Sequence, residues 1–168
     1  MTIYRQPADA YRGPNCGPTS VAVLSGWSLS AVMASIQIDG SYPANWKGST
    51  RMPRCLDPRG GFRYDSGRGD CFKALVHCGM NPVVEMALED QHGGRQLQSV
   101  VAQLPTDRAY FICTGGHAQA VVDGRVFDQN TSVEGDTAAT YWGRRKKVNV
   151  IISVDRLDNS DKENEPMT

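Results

Sequence analysis

The sequence predicts an α+β domain in which N-terminal helices, the one that opens at Cys16 first, pack on a C-terminal antiparallel β-sheet. Two observations carry that expectation. Apolar residues before Pro105 recur mainly at helical spacing, whereas after it they form the short apolar runs of strands. Between two of those later runs stands Asp123-Gly124, a strong two-residue hairpin signal that makes its flanking strands antiparallel neighbours.

Residues 1–15 are polar and rich in proline and glycine, without the apolar core of a signal peptide. The run Cys16-Gly17-Pro18-Thr19-Ser20-Val21-Ala22-Val23-Leu24-Ser25-Gly26 reads as a loop turning into a short buried helix. Pro18 costs nothing in a first turn, whose N–H groups have no intrahelical partner, and Gly26 supplies the left-handed stop. Leu29, Val32, Met33 and Ile36 repeat at helical spacing behind Ser28 as N-cap. From Asp39 to Gly69 periodicity is lost in a long Gly- and Arg-rich stretch, the mark of a lid or a substrate-facing excursion.

Asp70 is placed as the N-cap of a third helix, with Phe72, Leu75 and Val76 inward and Gly79 ending it. Val83–Leu88 reads as a strand. Leu97, Val100, Val101 and Leu104 form a helical stripe stopped by Pro105. Strands follow over Ala109–Cys113, Ala118–Val122, Arg125–Gln129 and Val148–Val154. Leu157 to Thr168 is polar and net acidic, the composition of a disordered tail. One domain over residues 1–156, with 39–69 as a loop insert and 157–168 as the tail, fits a chain of 168 residues.

Lys plus Arg equals Asp plus Glu, so bulk charge argues for neither a nucleic-acid coat nor an acidic-surface binder; Arg144-Arg145-Lys146-Lys147 and the stretch from Lys47 to Lys73 are locally basic, as a solvated face usually is, and no nucleic-acid partner is expected. No apolar run reaches membrane-spanning length, so no membrane partner is expected. The five cysteines include no short-spaced pair, which points to reduced thiols in a cytoplasmic setting, that of a host cell or a virus particle if the chain is viral.

Thiol chemistry needs a thiolate, a base and oxyanion donors. Cys16 opens a helix, where the positive end of the dipole favours thiolate. If Asp123-Gly124 is the turn, Val122 faces Arg125, Gln119 faces Asp128 and His117 faces Asn130. Alternation then puts His117, Gln119, Asp128 and Asn130 on one face. Asp128, diagonal to His117, or Asn130, directly opposite it, could hold the imidazole; the carboxylate would also stabilise an imidazolium. A one-residue slip would move Asp128 to the other face.

Cys71 and Cys78 are too far apart in sequence for a usual zinc-ligand pair and suit core packing beside Leu75, so neither metal nor cofactor is expected. Cys113 reads as core, His77 as a helix-edge residue, His92 as a loop histidine, and Trp142 as a core or rim anchor.

Asn15-Cys16-Gly17-Pro18-Thr19-Ser20, followed far later by Gly116-His117-Ala118 and Asp128, resembles papain-like cysteine peptidases, the C39-like branch and compact phage-encoded papain-fold proteins most of all. The resemblance runs from about residue 10 to 154 in element order; only the cysteine and histidine segments match as motifs. It implies a papain-like fold, a peptide or protein substrate, Cys16 as nucleophile, His117 as base, Asp128 as orienter and the Cys16 N–H in the oxyanion hole. Six residues before the cysteine, where such enzymes carry a glutamine, stands Ala10; Gln6 and Asn15 are the candidate replacements. The same groups could serve an acyltransferase or transglutaminase, or persist in a silent binding protein.

Overall fold

A computed structural model of the chain describes residues 4–12, 15–38, 70–114 and 117–155. The expected insert at 39–69 and tail at 157–168 lie outside the described residues.

Among the described residues eleven elements follow in chain order: α1 (Cys16–Ser25), α2 (Leu29–Ile38), α3 (Asp70–His77), β1 (Val83–Val84), α4 (Met86–His92), α5 (Leu97–Val101), β2 (Arg108–Thr114), β3 (His117–Val122), β4 (Arg125–Phe127), β5 (Asp136–Thr137) and β6 (Val148–Asp155). The strands form one antiparallel sheet in the order β1-β6-β2-β3-β4-β5. The α+β expectation holds at this level: the N-terminal helices pack against the sheet, with α1 on β2 and β3.

The two faces of the sheet explain why its central strands read as continuous apolar runs rather than clean alternation. Phe111, Cys113, Ala118, Ala120, Val122, Phe127, Val150 and Ile152 join the core beneath α1 and α3. The intervening Tyr110, Ile112, Val121, Val126 and Ile151 pack on the other face with Leu97, Val100 and Tyr141. A strand covered on both sides can leave no polar position free.

α1 is buried along its whole length, so no amphipathic stripe was available to mark it. Full burial of Leu24 alone contributes about 1.5–3 kcal/mol. The helix ends at Gly26, whose φ is 74° and whose N–H reaches Ala22 O at 2.9 Å. Ser28 Oγ caps α2 at Ala31 N (3.2 Å), as expected. Asp9 adds a cap from the N-terminal segment, accepting from Leu29 N (2.8 Å) and Ser30 N (2.9 Å).

Three readings change. Val76 is 53% exposed: Cys71, Ala74, Leu75 and Cys78 form the buried face of α3, and Val76 falls off that arc. Val83–Leu88 is not one strand. Pairing with β6 stops at Val84, and Met86-Ala87-Leu88-Glu89, all good helix formers, turn into α4. His92 closes α4 as a buried residue rather than a loop histidine.

The hairpin register is the expected one, with Val122 opposite Arg125, Val121 opposite Val126 and Ala120 opposite Phe127. Asp123 (φ 49°) and Gly124 (φ 76°) both take the left-handed backbone that a two-residue primed turn requires.

Candidate active site

Three segments bring the site together. Cys16 is the first residue of α1, His117 opens β3 directly after the β2–β3 turn, and Asp128 follows the last residue of β4. Because α1 lies on β3, the helix N-terminus meets the start of that strand. His117 Nε2 lies 2.8 Å from Asp128 Oδ2, and the Cys16 thiol neighbours the imidazole closely enough to help hold its proton. With Nε2 engaged by the carboxylate, Nδ1 is the ring nitrogen left for sulfur. All three side chains are almost wholly buried.

Asp128 is held by an Asx-turn of its own making. Its Oδ1 accepts the Asn130 N–H at 2.7 Å, which ends β4 after Phe127 and leaves Oδ2 to face His117. The same turn corrects the placement of Asn130: the strand has ended, so its side chain is exposed instead of opposite His117, and only its backbone serves the site.

Gln6 is also redirected. Its Nε2 donates to the Asp128 carbonyl and to Thr131 O (2.9 Å) and Oγ1 (3.1 Å), anchoring the 128–131 turn rather than facing an oxyanion. Gln119 does lie inside the site's packing, but its amide donates to Ile112 O at 2.9 Å while its Oε1 accepts from Thr114 Oγ1 at 3.4 Å and lies 3.4 Å from the Tyr141 hydroxyl oxygen. Asn15 is fully buried beside Cys16, with Nδ2 donating to Tyr11 O at 3.3 Å and Oδ1 unpartnered.

Two site residues were not foreseen in these roles. Tyr141 OH donates to Asp128 Oδ2 at 2.6 Å, and Trp142 Nε1 donates to the same oxygen at 2.9 Å. The Trp142 ring also stands edge-on to His117, centroids 5.0 Å apart. They arrive from the β5–β6 connection, where Gly143 allows the chain to pass close over the Tyr141 ring; a Cβ there would sit 2.7 Å from Tyr141 Cε1. A Tyr-Trp-Gly triplet after a hairpin was the available signal, but no periodicity ties it to Asp128.

The electrostatics follow from burial and partners. Burial alone would lower His117, yet its hydrogen bond to the Asp128 carboxylate and the nearby Cys16 sulfur outweigh it and push the imidazole up to about 9. Burial likewise disfavours a charged Asp128, but its bonds from His117, Tyr141 and the Asn130 N–H hold the carboxyl below its ordinary range. Burial and the Asp128 charge raise the Tyr141 hydroxyl far above the tyrosine range, so it stays a donor. Elsewhere burial pushes the Cys113 and Cys78 thiols up, as suits inert core cysteines. Burial and Arg95 lower His92.

Among the described residues no cluster of three or more His, Cys, Asp or Glu could hold a metal ion. None of their helices is long and apolar enough to cross a membrane. No family model, curated protein or solved structure matches the chain.

Proposed function

We propose that this chain is a papain-like cysteine hydrolase acting on a peptide or isopeptide bond, with Cys16 as nucleophile, His117 as acid–base and Asp128 as orienter. The observation that carries the reading is the buried His117 Nε2–Asp128 Oδ2 hydrogen bond of 2.8 Å next to the Cys16 thiol at the start of α1. A buried carboxylate beside an imidazole fixes its tautomer and stabilises the imidazolium, and an imidazolium beside a thiol favours thiolate.

The reaction then runs as follows. His117 takes the thiol proton as the sulfur attacks the carbonyl carbon. Collapse of the tetrahedral adduct breaks the C–N bond as imidazolium protonates the departing amine. His117 next takes a proton from water, the hydroxide attacks the thioester, and the thiolate leaves. The Cys16 N–H, at the first position of α1 with no intrahelical acceptor, is suited to the oxyanion.

The first test is iodoacetamide alkylation at pH 6, mapped by peptide mass spectrometry. Cys16 is expected to react at least tenfold faster than Cys55 and to lose that advantage in His117→Gln. Equal rates at the two cysteines would overturn the activated-thiol reading.

One observation favours a second reading. The Gln6 and Gln119 amides are both committed to carbonyl oxygens, leaving no side-chain oxyanion donor among them. A papain fold retained for binding, of a host or virion protein if the chain comes from a phage, would fit a site with slow or no turnover. Cys16→Ser would then leave the biological effect unchanged. An acyltransferase or transglutaminase would be recognised by amine-linked product when a primary amine is added.

A further inference from the structure

Trp142 has two neighbours with opposite meanings. One edge of its surroundings is His117, at 5.0 Å between ring centroids; over its ring sits the Lys146 ammonium, 4.9 Å from the centroid. The ammonium is therefore held less than 10 Å from the imidazole. Trp142 itself is 48% exposed, so this pair forms a surface that a ligand can touch beside the buried thiol.

Lys146 belongs to the run Arg144-Arg145-Lys146-Lys147, and none of the four has an ion-pair partner among the described residues. Nor is the run a free arm. Gln98 N donates to Arg144 O at 3.0 Å, Leu97 N to Lys146 O at 2.9 Å, and Gln96 bridges to Lys147. The start of α5 thus pins the basic backbone at the rim. A preorganised cation that no carboxylate among the described residues neutralises is a recognition element for an anion.

We propose that this rim recognises an acidic polypeptide segment, with a carboxylate of the substrate seated against Lys146 and Trp142 within about three residues of the scissile bond. The reach follows from chain geometry: an extended strand advances roughly 3.3–3.6 Å per residue, so about 10 Å from the imidazole is about three residues. The inference rests on the reading of Cys16 as nucleophile. It prefers a polypeptide to a nucleic acid because the adjoining thiol chemistry acts on acyl groups.

The test uses the full chain and two alkylating probes that differ in charge, iodoacetate and iodoacetamide, at low ionic strength. Their rate ratio at Cys16 reports the field of the rim separately from the reactivity of the thiol. Replacing +1 by −1 at about 10 Å in water changes the relative rate of the anionic probe by about fourfold, so Lys146→Glu is expected to lower the ratio by that factor. Lys146→Gln is expected to lower it about twofold, and high salt to lower it in the unmodified protein. A glutamate-rich decapeptide should protect Cys16 from iodoacetamide, and Lys146→Glu should weaken the protection.

A ratio unmoved by either variant would overturn the proposal. So would protection by a single-stranded oligonucleotide without protection by the acidic peptide, which would make the run a nucleic-acid contact. Failure of iodoacetamide to favour Cys16 over Cys55 would instead refute the nucleophile reading, a result the charge ratio cannot mimic.

Discussion

Asp128→Asn is the most informative single change at this site, because it keeps the shape and removes the charge. In the native protein the imidazole is raised from 6.5 to about 9. A shift of that size corresponds to a preference for imidazolium on the order of 3 kcal/mol. It is the balance of burial, which opposes the charge, against the bond to Asp128 and the nearby Cys16 sulfur, which favour it. The amide cannot satisfy the same partners. Oδ1 and Oδ2 together accept from His117, Tyr141, Trp142 and the Asn130 N–H, so an amide nitrogen at either position must face a donor. With the negative charge gone and burial unchanged, His117 should titrate at least one unit lower. The assay is a proton–carbon NMR titration of the ring Cε1–H signals, for which the chain offers only His77, His92 and His117. His92, held low by burial and Arg95, supplies an internal contrast. Alkylation of Cys16 at pH 6 should fall in parallel, roughly tenfold for each unit lost. A native His117 titrating at or below 6.5, or one that the substitution leaves in place, would refute the electrostatic argument for the triad.

Two further outcomes follow from the same contacts. His117, raised in the folded state, contributes stability that is fully present below about 6.5 and is lost as pH rises through about 9; Asp128, lowered, contributes stability present above its unfolded value near 3.8 and lost as pH falls through its folded one. The melting-temperature gap between the native chain and His117→Gln should therefore shrink steadily between pH 6.5 and 9, and a gap that widened there would contradict the assignment. Gln6→Ala should cost about 1–3 kcal/mol in urea unfolding, since the buried Asp128 and Thr131 carbonyls lose their shared donor. Unchanged stability would show that the N-terminal segment does not brace the turn.

Much of the site was legible because its parts are local. Asp123-Gly124 fixes the hairpin type, the hairpin fixes the register, and the register brings Asp128 to His117 without any tertiary knowledge. Cys16 was marked by its helix start and by Gly26. What stayed hidden depends on packing between distant segments. Asn130 was misplaced because an Asx-turn, not the strand pairing, governs the chain after Phe127. Gln6 could reach Asp128 only once the N-terminal segment ran beside residue 133, where Gln6 N donates to Val133 O at 3.0 Å. Tyr141 and Trp142 lie in an irregular connection, where spacing carries no directional information. Val83–Leu88 misled because two β-branched residues suggested a strand where the following four prefer helix.

The complete enclosure of α1 bears on how the sulfur can be reached. A helix with every residue packed has no frayed end of its own, so its amides beyond the first turn should exchange only with opening of much of the surrounding core. Slow breathing of that segment therefore offers reagents no back route to position 16. Reactivity measured there under folding conditions therefore reports access through the native surface beside Trp142 and His117.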